Sequence, residues 1–349
     1  MKKTLLALAA AAAATATTGA FAADSVTLYG VADAWLGQSK VAANPTQTVV
    51  NSGGLSTSRL GVTVKEDLGD GLSAFSQMEY GISIDNPSGG SNAPRKSVVG
   101  LAGSFGSVAL GFQATPYDDV SKTILDAQSN STSFSTVRYG WSEKAAPSVS
   151  YGGTKVAFAH TERFTNSVRY DTPNFDGFQA AVQLDTRPPA AGAPRSSHDY
   201  SLNAKYAQGP LSLAIAYQQE EAAWLTTGSF AKRKNTALGG NYDFGPAKLF
   251  LAYNNASLPS LASGATPTLK GYNLGVSVPV DAFTFIAQVS QMKPRNTAND
   301  NNITALGLEG RYALSKRTTA YVGYLQRKQT ATTVNNELRN FGIGLRHTF

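Results

Sequence analysis

From Ser25 to the carboxyl terminus the chain repeats one pattern, segments of about ten residues in which apolar and small polar side chains alternate. Leu211, Leu213, Ile215 and Tyr217 interleave with Ser212, Ala214, Ala216 and Gln218, and Tyr272, Leu274, Val276 and Val278 with Asn273, Gly275 and Ser277. Phe283, Phe285, Ala287 and Val289 interleave with Thr284 and Gln288 in the same way. A period of 2 specifies strands. Their length exceeds the ~5–6 residues usual in soluble sheets and matches the ~9–11 residues of a tilted strand crossing a bilayer. No later segment approaches the ~18 consecutive apolar residues of a membrane helix. Two architectures fit this pattern: a large soluble β-sandwich, and a closed barrel whose polar face lines its interior.

The connections discriminate between them. Short turns fall at 67–71, 103–106, 173–177, 208–210, 244–246, 279–281 and 315–317. Long loops alternate with them near 38–54, 85–94, 113–163, 187–198, 220–233, 257–269, 294–302 and 330–336. Seven turns and eight loops separate sixteen strands, and short turns at one rim with long loops at the other are the pattern of an outer-membrane barrel. The expected fold is all-β, a 16-stranded antiparallel transmembrane β-barrel over residues 23–349, with no internal domain boundary. The third loop has its own hairpin potential at 148–151 and 155–160. The last strand ends on Phe349, with Phe341, Ile343, Leu345 and His347 on the same face. A closed barrel pairs its last strand with its first and leaves no edge, so a chain can stop mid-sheet.

Residues 1–22 read as a cleaved signal peptide. Lys2 and Lys3 precede an apolar, alanine-rich stretch that ends in the A-x-A site Ala20-Phe21-Ala22. Its removal takes two lysines with it and lowers the formal charge from +7 to +5. The 349 residues include no cysteine, which excludes disulfides, thiol catalysis and thiolate-bound metal. Three histidines, none spaced as a ligand pair, provide no metal site, and no cofactor is expected.

Several segments together resemble the trimeric general porins of Gram-negative outer membranes, in particular their neisserial and burkholderial branch. They are Ser25-Val26-Thr27-Leu28-Tyr29-Gly30, Ser58-Arg59-Leu60-Gly61 leading into Glu66-Asp67-Leu68-Gly69-Asp70-Gly71-Leu72, Val99-Gly100-Leu101 with Gly103-Ser104-Phe105-Gly106, Asn166-Ser167-Val168-Arg169-Tyr170 before Pro173-Asn174-Phe175, and the ending Leu345-Arg346-His347-Thr348-Phe349. The resemblance covers essentially the whole chain. It implies a water-filled barrel, a homotrimer, a long third loop folded into the lumen, and a terminal aromatic recognised by the barrel-assembly machinery. Similar porins carry an arginine after the Leu-Gly that ends the fifth strand; here Leu110-Gly111 is followed by Phe112, which weakens the expected basic wall.

Parity assigns candidate pore residues. Leu60, Val62 and Val64 face outward in the second strand, so Arg59, Thr63 and Lys65 face inward. Arg59 lies eight residues from the turn at Asp67, roughly 19 Å up a wall tilted ~45°. A lipid-facing arginine at that depth costs about 2–4 kcal/mol. Ser167, Arg169 and Asp171 face inward by the same rule. Arg59, Arg169 and Lys65 therefore form the expected basic wall, and Asp118, Asp119 and Asp126 of the third loop the acids expected to face it across a narrowed lumen. Basic Lys122, Arg138, Lys144 and Lys155 share that loop. Opposed charges held apart by water would create a transverse field that sorts solutes by size and charge.

The function expected is passive diffusion of small hydrophilic solutes and ions across the outer membrane with modest anion preference. The partners expected are outer-membrane lipids, the assembly machinery and two further copies of the chain, and no nucleic acid. A barrel-borne hydrolase is the competing class; its one candidate cluster is His198-Asp199 beside Ser196 and Ser197 at a loop, with His160 in the third loop and His347 on the lipid-facing side. An adhesin would need longer loops or a plug, and a substrate-specific channel would need an aromatic track that parity alone does not locate.

Overall fold

The computed structural model describes residues 25–41, 44–86, 94–129, 131–140, 149–151, 154–156, 160–186, 199–222, 231–257, 268–295, 302–329 and 337–349. The signal segment, Lys144, the side chain of Lys155, and Ser196 to His198 lie outside them.

The chain opens with β1 (Ser25–Val41) and β2 (Gln47–Ser52), then β3 (Arg59–Gly69), β4 (Leu72–Gly81), β5 (Pro94–Gly103) and β6 (Gly106–Ala114). The third long connection holds α1 (Pro116–Ser121), α2 (Thr136–Gly140), and a separate hairpin of β7 (Val149–Tyr151) and β8 (Thr154–Val156). After it run β9 (Arg163–Asp171), β10 (Phe178–Asp185), β11 (Tyr200–Gln208), β12 (Leu211–Ala222) and β13 (Ala231–Asp243). The last six are β14 (Lys248–Ser257), β15 (Thr268–Val280), β16 (Phe283–Arg295), β17 (Ile303–Ala313), β18 (Thr318–Gln329) and β19 (Leu338–Thr348).

Each of these pairs antiparallel with its neighbour, and β6 pairs directly with β9 across the third loop. β19 closes on β1 from Val31 opposite Thr348 to Val41 opposite Leu338. With β2 a short rider on upper β1 and β7–β8 apart, sixteen strands form the closed barrel. Closure leaves no unpaired strand edge to hydrocarbon.

The wall is inverted relative to a soluble sheet. In β14, Leu251 is 64% exposed while the adjacent Phe250 is 7%; in β15, Tyr272 and Leu274 are exposed and Asn273 is buried between them. The apolar set faces outward, as a bilayer requires. Short turns close on their own side chains. Gly69 N–H donates to Asp67 Oδ1 (2.9 Å), Gly177 N–H to Asn174 Oδ1 (2.7 Å) and Gly245 N–H to Asp243 Oδ1 (2.8 Å). All three glycines have positive φ, the conformation that glycine adopts without steric penalty.

Candidate functional site in the barrel lumen

The third loop enters the barrel and follows its inner wall. Thr115 caps α1, its hydroxyl accepting from Asp118 N–H, and Pro116 occupies the first turn, where a missing N–H costs nothing. From there, wall side chains bind the loop backbone strand after strand. Tyr117 N–H donates to Ser201 of β11 (3.0 Å), and Asn203 donates to Pro116 O (2.7 Å). Asn241 of β13 donates to Ile124 O (2.9 Å) and Asn273 of β15 to Leu125 O (2.7 Å). Gln288 of β16 accepts from Ala127 N–H (2.8 Å), and Arg311 of β17 donates to Gln128 O (2.8 Å). The track ends where Ser133 accepts from Trp35 Nε1 (3.1 Å) and, through its carbonyl, from Asn340 (2.8 Å). These buried amides satisfy loop groups that would otherwise be orphaned.

The track has room because its inward positions are small. Tyr117, Val120, Leu125 and Val137 pack on Ala214, Ala216, Ala237, Ala252 and Ala256. A Cβ added at Gly275 would lie 2.6 Å from Ala127 Cβ, and one at Gly323 would lie 2.5 Å from the Phe134 ring. A second anchor is Asp33 of β1, fully buried. Its carboxylate accepts from the N–H groups of Gly54, Leu55 and Ser56 (2.8, 2.9 and 2.8 Å) and from the Tyr321 hydroxyl (2.5 Å). The loop carbonyl of Gly54 in turn accepts from Thr132 and Ser133 N–H, so Asp33 holds the first loop and, through it, the third.

At the loop's entry lies a buried charge cluster. Lys122 Nζ bridges Asp118 (2.7 Å) and Glu162 (2.8 Å), and His160 Nε2 meets Asp118 at 2.9 Å. Burial alone would raise the Asp118 carboxyl, but Lys122 and His160 hold it well below the usual carboxylate range. Glu162, also desolvated, is held down to about 2, chiefly by Lys122. Thr161 donates its N–H (2.8 Å) and hydroxyl (2.6 Å) to Glu220 of β12, which also pairs with Arg233.

With the loop on one side, the uncovered wall is β3 to β6 and β9. Arg95 Nε (2.7 Å) and Arg59 Nε (3.4 Å) share Glu79, which also accepts from the Tyr29 hydroxyl (3.0 Å). A polar cavity of about 390 Å³ is lined by Glu79, Arg95, Lys96, Asp119, Arg163, Arg169 and Asp171 among others. Arg169 makes four hydrogen bonds: it donates to both Asp171 oxygens (2.8 and 2.6 Å), to Asp119 Oδ2 (2.6 Å) and to Ala114 O (3.0 Å). Burial pushes the Asp119 carboxyl up, opposed by Arg169.

The sequence-derived wall therefore divides. Arg59 and Arg169 face the uncovered lumen. Lys65 shares the parity of Arg59 but lies exposed toward the short-turn end of β3, opposite Ser25 and Phe75, and among the described residues it forms no ion pair with the cluster. Of the loop acids, only Asp119 meets a wall arginine. Asp118 is turned into the Lys122–His160 cluster, and Asp126 is buried against β16, accepting from Gln288 (2.8 Å) and Gln128 N–H (3.0 Å). Neither faces the arginines across water. Instead of acids and bases held apart, the lumen has Asp119 in contact with Arg169. Phe112 sits at a bulge between Gly111 and Gln113, opposite Ser97 of β5. The same strand supplies Arg95 and Lys96, two cations the sequence reading missed. A register shift at Glu79/Tyr80 obscures their parity, and the loop before them leaves the strand's start open. The run of inward alanines and glycines from β12 to β18 was the available sign of the loop's track.

Among the described residues no group of three or more His, Asp or Glu side chains is arranged to hold a metal ion. The sequence model of the family described as Gram-negative porin matches residues 7–332. Outer membrane porin protein 32 of Delftia acidovorans is 31% identical over 338 residues, 95% of this chain and 92% of that protein. An outer membrane porin protein of Bordetella pertussis is 28% identical over the full length of both chains. Among solved structures, the anion-selective porin from Comamonas acidovorans matches with a TM-score of 0.80 at 26% identity, covering 94% of this chain and 100% of that one. In-vitro folded OmpT of Vibrio cholerae, in its trimer form, shares the fold with a TM-score of 0.71 at 19% identity, covering 94% and 100%.

Proposed function

Because this chain belongs to the Gram-negative porin family, and is thus an outer-membrane channel rather than an enzyme, we propose that it passes small hydrophilic solutes and ions by passive diffusion with a modest preference for anions. The observation that carries the preference is the composition of the uncovered wall. Arg59, Arg95, Lys96, Arg163 and Arg169 stand there against Glu79, Asp119, Asp171 and Glu162, the last paired with Arg163 (3.1 Å). Net positive potential in a narrow, low-dielectric passage raises the local anion concentration. The excess is small because Glu79 serves two arginines and Arg169 is neutralised by two aspartates. The related porin of Comamonas acidovorans is described as anion-selective, which supports the same sign here.

Arg59, Arg169 and Asp119 are the residues we assign to the constriction, with Arg95 and Lys96 added. Solutes orient their dipoles in the field of these fixed charges and shed little hydration water as they pass, without a binding step. A homotrimer, as in OmpT of Vibrio cholerae, is the assembly we propose, inserted after export and cleavage behind Ala22, with Phe349 recognised by the assembly machinery. Reversal potentials of single channels in a salt gradient test the preference; a potential of cation-selective sign in the unsubstituted channel refutes it.

A further inference from the structure

The carboxyl-terminal strand carries a charge into the lumen that the constriction described above leaves unused. In β19, Phe341, Ile343 and Leu345 are exposed on the outer wall, so Asn340, Gly342, Gly344 and Arg346 face inward. Contacts fix this parity. Asn340 donates to the carbonyl of Ser133 in the lumen loop (2.8 Å), and side chains added at Gly342 and Gly344 would meet the Trp35 and Tyr321 rings. Arg346 stands two residues further toward the short-turn rim, directly opposite Asp33 of β1.

Oppositely charged residues facing each other across two strands stabilise a sheet by pairing. These two do not pair. The Asp33 carboxylate is taken up by the N–H groups of Gly54, Leu55 and Ser56 and by the Tyr321 hydroxyl. Among the described residues Arg346 makes no hydrogen bond or ion pair, and its Nε is buried without a partner. The neighbouring arginines differ. Two strands away on one side Arg311 of β17 pairs with Glu309, and on the other side Arg59 and Arg95 share Glu79. Arg59 lies opposite Val31, two residues from Asp33 along β1, so Arg346 and Arg59 flank that strand with a buried apolar side chain between them. Their charges repel one another, which leaves positive potential in the lumen water beside the seam.

We propose that Arg346 is a specificity-determining residue of the channel: with Arg59 it forms a positive strip along the seam of β19, β1 and β3 that small permeating anions follow past the lumen loop. The inference rests on the anion preference proposed above and names the residue that supplies its unmatched charge. A mobile anion is the counter-charge that the fixed structure lacks at this place, and guanidinium donors attract it through charge-assisted contacts. Arg346 is half-buried and keeps lumen water on one side, so the encounter orients the anion without holding it. The last strand thereby serves both faces, with Phe349 turned to the outer wall and Arg346 to the passage.

The test uses the full, folded protein in planar bilayers, where every recorded channel is a barrel that has closed. Under a potassium chloride gradient Arg346→Gln lowers the chloride-to-potassium permeability ratio about threefold, while Arg346→Lys keeps it. The chain has no cysteine, so Arg346→Cys introduces a single thiol. A cationic methanethiosulfonate reagent restores the ratio in that variant, and an anionic one lowers it below the value of Arg346→Gln. A residue that merely stiffened the seam would respond alike to both reagents. An unchanged ratio in Arg346→Gln, a response that ignores the sign of the reagent, or a thiol that mass spectrometry finds unmodified each overturns the proposal. A cation-selective unsubstituted channel instead refutes the anion preference itself; a further shift toward cations in Arg346→Gln then still upholds Arg346 as a residue of the passage.

Discussion

Asp119 of α1 and Arg169 of β9 touch at 2.6 Å, fifty residues apart in sequence, and their contact ties the lumen loop to the uncovered wall. The pair sets how much positive charge the passage presents. Asp119→Asn leaves Arg169 with Asp171 alone and shifts selectivity toward anions; Arg169→Glu shifts it toward cations, as does Arg59→Glu beside Glu79. Unit charges ~10 Å apart interact by roughly 0.4–1.7 kcal/mol at an effective dielectric of ~20–80. Each change therefore alters the permeability ratio severalfold. Reversal potentials in a salt gradient read this directly, and raising the salt shrinks the differences by screening. Potentials unchanged from the unsubstituted channel in both arginine reversals remove these residues from the constriction.

Lys122 is a positioning residue for the loop. Lys122→Met leaves the Asp118 and Glu162 carboxylates without their shared cation, a loss of about 3–5 kcal/mol for a broken buried pair. Increased open-channel current noise and faster proteolysis within the loop are expected, with Lys122→Arg intermediate. Both carboxyls are depressed in the folded state. Their contribution is present above their unfolded pKa of about 4 and is lost as pH falls through the folded values, with Glu162 at about 2. Noise in the unsubstituted channel should therefore rise below pH ~4, and constant noise down to pH ~2 would oppose this assignment.

Asp126 works in the opposite direction. Burial pushes its carboxyl up to about 6, against hydrogen bonds from Gln288 and Gln128. The charged form is penalised fully above that pH, by up to about 3 kcal/mol, and the penalty disappears as pH falls toward about 4. Hydrogen exchange around residues 125–129, corrected for intrinsic rates, should show better protection at pH ~5 than at pH ~8. Asp126→Asn removes that difference; a variant that still shows it assigns the pH dependence to another group.

Phe349 and Gly30 exchange both backbone hydrogen bonds, 3.0 and 3.1 Å, at the seam between β19 and β1. The Phe349 ring lies over Gly30, where an added Cβ would come within 2.3 Å of it. Deleting Phe349 should lower the heat-modifiable, folded fraction in outer-membrane extracts. Phe349→Ala keeps the backbone pairing, so comparable losses in the two variants assign the effect to the ring. Normal yield from the deletion makes the terminal aromatic incidental.

Amino-terminal sequencing of outer-membrane protein should begin at Ala23. A chain starting at Met1 would contradict processing after Ala20-Phe21-Ala22.

The barrel was legible in the sequence because its determinants are local. Alternation decides the face of each residue within two positions: Leu251 outside and Phe250 inside follow from adjacency alone. Turn sequences such as Asp67-Leu68-Gly69 carry their own hydrogen bonds, and alternating connection lengths separate the rims. Parity also placed Arg59 and Arg169 inside. Which charges meet was decided elsewhere. Leu125 reaches Asn273 across 148 positions, and Gln128 reaches Glu309 across 181. No periodicity encodes such contacts, because they depend on where inward alanines and glycines leave space once all sixteen strands have closed. The closed wall turned Asp118 to Lys122 and Asp126 to Gln288, left Asp119 for Arg169, and set half-buried Arg95 and Lys96 beside the cavity. The sequence by itself determined the inside and the outside of this protein; the tertiary structure decided the partners within it, because a strand's period acts over two residues and a loop's path over the whole circumference.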